Sequence, residues 1–359
     1  MKKSSLIFGA GMAALAMTAA AGAHAQSWAD STSVSGRIYA DVTDVENKVN
    51  DVKSDTSASG AIPAQNGFGT DVKRFYVGID HKFTDMFAVN VTTDMAFNTG
   101  TSNAEVFIKK AYLSINVSPA AVITVGSNDN PWIPYAEGIY GYRFVEKTVT
   151  DRLSFGNSAD WGVHAAGVFG TYFAYDAAII SGNGYKNPTR SKGVDFEGRL
   201  SAKVDQWNFA VGGYTGKLGQ DVTVAPGAAA AAPHTATRFN ALAAYVGDRT
   251  RLGVEYFSAN DFSTALVKSA TLTDKADGVS VFGSYRIDPQ WTVFARNDDV
   301  KMSKIQAPFK KDSYFNIGAD FSAFKNVDFA FTLKHEQLHT AATTKVVNNE
   351  IGVFSQYRF

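Results

Sequence analysis

Residues 194–204 read VDFEGRLSAKV. Val194, Phe196, Gly198, Leu200, Ala202 and Val204 alternate with Asp195, Glu197, Arg199, Ser201 and Lys203. Successive side chains of a β-strand point to opposite faces, so this segment has one apolar wall and one charged wall. A helix would scatter both sets around its axis. The same split recurs in RFYVGIDHKF (74–83), where Phe75, Val77 and Ile79 oppose Arg74, Tyr76, Asp80 and Lys82. It returns in VSVFGSYRID (279–288), SYFNIGADFSAF (313–324) and VDFAFTLK (327–334). Period 2 therefore governs the chain, and 26 Phe and 15 Tyr suit pleated surfaces.

Between these strands, connections alternate in length. Short turns fall at 84–85, 118–119, 170–171, 205–206, 247–249, 288–290 and 325–326. Longer loops rich in Gly, Asn, Ser and Thr fall near 45–69, 98–104, 127–160, 183–193, 217–235, 260–277, 302–312 and 338–346. Seven turns and eight loops predict a 16-stranded antiparallel transmembrane β-barrel, short turns at one end and long loops at the other. Phe83, Phe87, Trp207, Tyr285, Trp291, Phe321, Tyr357 and Phe359 stand beside the short turns, where an interfacial aromatic girdle belongs. Closure pairs every strand edge, which lipid demands.

The N-terminus fits export. Lys2 and Lys3, an apolar stretch from Leu6, and Ala23-His24-Ala25 form the three parts of a signal peptide, predicted as residues 1–25. The barrel domain is then 26–359 and carries a formal charge of −2. That balance argues against a nucleic-acid partner, and with no cysteine the fold does not rely on disulfides.

The final strand, EIGVFSQYRF, sets Ile351, Val353, Tyr357 and Phe359 against Glu350, Gly352, Gln356 and Arg358. It looks like the C-terminal assembly signal of Gram-negative outer-membrane barrels, and it also suits a last strand that closes on SVSGRIYADVTD (33–44). The mature chain resembles the 16-stranded trimeric porins along nearly its full length. AYLSI (111–115), VGSNDNPW (125–132), YRFVEK (142–147) and SADWGV (158–163) also look like the phosphate-selective porin O and P group. It departs from that group in its long loop, where Arg143, Lys147 and Arg152 face five acids, Asp129, Glu137, Glu146, Asp151 and Asp160.

The resemblance implies a passive outer-membrane diffusion channel for ions and small hydrophilic solutes. It implies a homotrimer in contact with lipid and lipopolysaccharide, and no cofactor or metal. It also implies that the 127–160 loop, between strands 5 and 6, folds inward and constricts the pore. Expected constriction residues are Glu137, Arg143, Glu146, Lys147, Asp151 and Arg152. By alternation Arg37, Arg74, Lys110, Arg199, Arg296 and Lys334 form a basic pore wall, with Asp80, Asp94, Asp195, Glu197, Asp320 and Glu350 as its acidic counterpart. Charges in a low-dielectric neck bias ion flux more than charges at a wide mouth.

Two other functions compete. Residues 334–339, KHEQLH, spell the H-E-x-x-H of zinc hydrolases. That motif needs a helix; on a strand His335 and His339 stand roughly 13 Å apart, too far to share a zinc. An adhesin would use its long loops, but 45–69 and 217–235 lack aromatic anchors.

Overall fold

The computed structural model describes residues 31–55, 62–98, 103–220, 234–269 and 271–359. The expected signal peptide lies outside them, as do parts of the loops near 45–69, 98–104, 217–235 and 260–277. The first five strands are β1 (Thr32–Val49), β2 (Val52–Lys53), β3 (Gly67–Lys82), β4 (Phe87–Asn98) and β5 (Asn103–Ser118). There follow β6 (Ala121–Asp129), β7 (Ala159–Phe169), β8 (Phe173–Ile180), β9 (Asp195–Val204), β10 (Trp207–Gly216) and β11 (Ala236–Val246). The chain closes with β12 (Thr250–Asn260), β13 (Lys275–Arg286), β14 (Trp291–Lys301), β15 (Lys311–Phe324), β16 (Val327–Ala341) and β17 (Thr344–Arg358). Among the described residues three short helices interrupt them: α1 (Ile133–Tyr140), α2 (Val149–Arg152) and α3 (Thr264–Lys268).

Each long strand pairs antiparallel with its neighbours, and β1 pairs with both β3 and β17, Arg37 opposite Arg358 and Val49 opposite Val346. The sheet is a closed 16-strand barrel; the two-residue β2 is a small hairpin on the end of β1. Alternation decides its two faces. On β9, Phe196 and Leu200 are exposed outward while Asp195 and Glu197 are buried inside. Phe83, Trp207, Tyr285, Trp291 and Phe359 are exposed at the short-turn end, on the apolar outer face. Amphipathic rings at that height match a headgroup boundary.

All seven short turns fall where the sequence puts them. Two long loops do not. Residues 338–346 are strand up to Ala341 and again from Thr344, joined by two residues. Likewise β1 runs to Val49 and turns through Asn50 and Asp51, both at positive φ, into β2. At the rim both faces of a strand meet water, so alternation fades while the hydrogen-bond ladder continues.

Phe359 closes the barrel locally. Gly36 and Phe359 exchange backbone hydrogen bonds of 2.8 and 3.1 Å, and the Phe359 ring lies where a Cβ on Gly36 would stand. Only glycine leaves that space open.

Candidate functional site

The segment between β6 and β7 does not leave the barrel. It turns inward and packs on the inner faces of β9 to β17 and against Tyr39 of β1, which carry matching anchors. At its base Asn130 bonds Ser158 through its amide (2.9 Å) and Asn157 through its side chain (3.0 Å). Trp132 follows, fully buried, its indole N–H donating to Glu255 at 2.8 Å and its amide to Glu197 at 3.1 Å. Arg199 donates to the Pro131 carbonyl at 2.7 Å, and Arg238 holds Glu197 at 2.9 Å and the Phe155 carbonyl. Pro134 starts α1 without losing a needed N–H, and Gly141 ends it in the left-handed region at φ 84°. There Arg251 donates to the Tyr140 carbonyl at 2.9 Å.

Aromatic packing then carries the chain across the lumen. Tyr140, Tyr142, Phe144 and Val145 bury against Tyr39, Phe282, Phe294 and Phe354, with Tyr142 and Phe294 stacked at 4.1 Å. The last stretch is held by charge. Arg296 donates to the Lys147 carbonyl and pairs with Asp298 at 2.6 Å. Lys334 joins Glu146 at 3.2 Å and Glu350 at 3.1 Å. Arg152, with no exposed side-chain surface, binds Asp298 at 3.2 Å, Glu336 at 2.6 Å and also Asp312. Buried charges survive only when paired and hydrogen-bonded, so these contacts fix the loop on one side of the lumen.

The expected site residues therefore occupy two places. Glu146 and Arg152 of the loop, and Arg199, Arg296 and Lys334 of the wall, sit in the contact between loop and wall. Glu137, Arg143, Lys147 and Asp151 face the other way, as do Arg37, Arg74 and Lys110. On that open side lie two chambers. One, of about 930 Å³ at the long-loop end, is lined by Arg74, Lys147, Asp151, Tyr185 and Lys186 among others. The second, of about 700 Å³ between α1 and β1 to β6, is lined by Arg37, Tyr76, Lys109, Lys110, Glu137 and Arg143.

The linings of the two chambers touch at one level. Arg143 pairs with Glu137 and lies 3.6 Å from Asp151. On the wall, Arg74 pairs with Asp94 at 3.6 Å, and Asp129 takes Lys110 at 3.1 Å and Lys109 at 3.8 Å. The Lys109 ammonium stands 5.1 Å from the Tyr76 ring centroid and 5.9 Å from that of Tyr185. Lys186 lies 4.6 Å over Phe107; burial, then the nearby positive charge of Arg74, holds its ammonium below the ordinary lysine value.

Sequence reasoning missed Lys109, Tyr185, Lys186 and the anchors Trp132, Arg238 and Glu255. One signal was available for the loop footprint: inward positions of a water-filled barrel are polar, yet Tyr39, Phe257, Phe282, Phe294 and Phe354 face inward. These aromatics lie under the loop. KHEQLH also resolves. It lies on β16, with Glu336 buried inside and His335 and His339 on the opposite face, so no zinc geometry forms. Glu336 is a buried partner of Arg152.

Comparison with known proteins places this arrangement. No protein-family profile matches the chain, and no curated protein matches it by sequence. Solved structures match it closely in shape. The outer-membrane channel DcaP of Acinetobacter baumannii aligns with a TM-score of 0.66 at 12% identity, covering 91% of this chain and 97% of that one. The anion-selective porin of Comamonas acidovorans gives 0.61 at 10% identity, covering 92% and 99%. OmpF of Salmonella typhi gives 0.57 at 11% identity, covering 91% and 97%.

Proposed function

Because this chain has the sixteen-stranded barrel fold of the outer-membrane porins, we propose that it is a passive channel for ions and small hydrophilic solutes. The observation that carries this reading is the loop packed on one inner wall beside two chambers on the other. The neck is the level where the two linings touch, with Glu137, Arg143, Lys147 and Asp151 on the loop side. Arg74, Lys109 and Lys110 face them from the wall. Glu146, Arg152, Arg199, Arg296 and Lys334 act by holding the loop in place. The buried partners of Glu146, Arg152, Arg296 and Lys334 leave them no charge to offer a passing ion, and Arg199 is tied to the Pro131 carbonyl.

The six cations around the neck, Arg74, Lys109, Lys110, Arg143, Lys147 and Lys186, outnumber the four acids Asp94, Asp129, Glu137 and Asp151. We infer a preference for small anions over cations of similar size, since fixed charge in a narrow, low-dielectric passage repels its own sign. One of the matching structures is of an anion-selective porin, which is consistent with this. Residues 1–25 act as an export signal, the barrel resides in the outer membrane among lipid and lipopolysaccharide, and three copies associate. The matching folds and the outward apolar band support the membrane placement, while the export signal rests on the sequence pattern and the three copies on the porin resemblance.

Purified protein in liposomes tests the channel. Graded sugars should enter at rates that fall steeply with size, and the vesicles should swell. Vesicles that stay osmotically intact toward the smallest sugar would remove the channel reading.

A further inference from the structure

We infer that Lys109, turned into the lumen by a β-bulge, is the wall residue that sets ion preference at the neck. This deepens the channel proposal above and rests on it.

The ladder between β4 and β5 is interrupted at one place. Thr92 faces Lys110 and Thr93 faces Ile108, so Lys109 is the extra residue on β5. A bulge re-aims the side chains around it. Here it puts two consecutive lysines on the same side: Ile108 is exposed outward, and both Lys109 and Lys110 reach inward to Asp129. Strict alternation would have put one of them in lipid, where a charge is costly. The bulge is secured from the next strand, since the buried Ser127 hydroxyl donates to the Lys109 carbonyl at 2.7 Å.

A second bulge of the same kind shows what is special here. Between β1 and β3, Tyr39 faces Arg74 and Ala40 faces Val72, leaving Lys73 extra. Lys73 meets its own acids, Asp41 at 2.8 Å and Asp71 at 3.6 Å, and lines neither chamber. Lys109 and Lys110 instead share Asp129, and Lys110 takes the closer contact. Around Asp129 alone this leaves one positive charge in excess, with Glu137, already paired with Arg143, the next acid in reach of Lys109. Lys109 holds that charge between the rings of Tyr76, which lines one chamber, and Tyr185, which lines the other. An ion moving between the chambers passes this ammonium with little water to screen it.

The bulge also offers a clean test. Deleting Lys109 makes Ile108 and Lys110 consecutive, restoring a regular ladder while every other side chain keeps its face. Reversal potentials of the full chain in a planar bilayer under a potassium chloride gradient are the readout. Lys109→Gln and the Lys109 deletion should each lower the chloride-to-potassium permeability ratio about two- to fivefold, the scale of one poorly screened charge. Lys73→Gln should leave the ratio at its wild-type value. Wild-type ratios in Lys109→Gln, or in the deletion should only that variant assemble, would overturn the assignment. So would an equal shift in Lys73→Gln. Absence of conductance steps in the wild type would instead sink the channel reading itself.

Discussion

Arg152 shows how a charge that looks functional in the sequence can be structural in the fold. It sits on a loop with mixed charges, as a pore residue would, yet its guanidinium is enclosed by Asp298, Asp312 and Glu336 and stacks 4.5 Å from the Tyr314 ring. Removing one partner of a buried ion cluster typically costs about 3–5 kcal/mol, because the others stay buried without compensation. Arg152→Gln should therefore free the end of the loop without unfolding the barrel, whose ladders do not involve it. Single-channel records should show larger and noisier openings than the wild type; records identical in size and noise would contradict the anchoring role. Which face a charge takes was legible for Arg37, Arg74, Arg199, Arg296 and Lys334, because strand alternation is local. Which charges are consumed by the loop was not. That depends on contacts such as Arg296 with Lys147 and Lys334 with Glu146, between residues more than a hundred positions apart.

At the scale of elements, the strands were nearly complete in the sequence and their rim ends were not. Alternation located the seven turns because one strand face is apolar and the other polar along the middle of the barrel. It failed at β16 and β17, whose outer ends continue as a hairpin past the outer apolar band. It failed again at Lys73 and Lys109, where the ladder takes an extra residue; adjacent basic residues in mid-strand, Lys73-Arg74 and Lys109-Lys110, were the trace of that. The seam between β1 and β17 makes a prediction of its own. The Phe359 ring occupies the space above Gly36, whereas a Cβ on Gly69 would meet nothing within 4 Å. Gly36→Val should lower the thermal unfolding midpoint in detergent by an amount equivalent to about 1–3 kcal/mol of overpacking. Gly69→Val should change it far less. Equal midpoints for the two variants would show that the ring does not need its seat.

The whole molecule combines a closed sheet with a polypeptide plug fastened to half of its inner wall. Closure pairs the strand edges, which is why a chain without disulfides can hold sixteen strands. The plug is held by aromatic burial near its middle and by ion pairs toward its end, and it leaves the β4 to β6 side clear. Barrel and inward loop were both legible from the sequence, the second through a family resemblance and not from spacing. The division of the lumen into a packed half and an open half was not, since it rests on long-range packing. The proposed function puts the ion path through that open half. The most direct measurement compares single-channel conductance of the full chain with a variant in which residues 133–151 are replaced by a short Gly-Ser linker. Discrete steps in the wild type, and steps several times larger in the variant, are the predicted result. Unchanged conductance on removing the loop, or none in either protein, would contradict it.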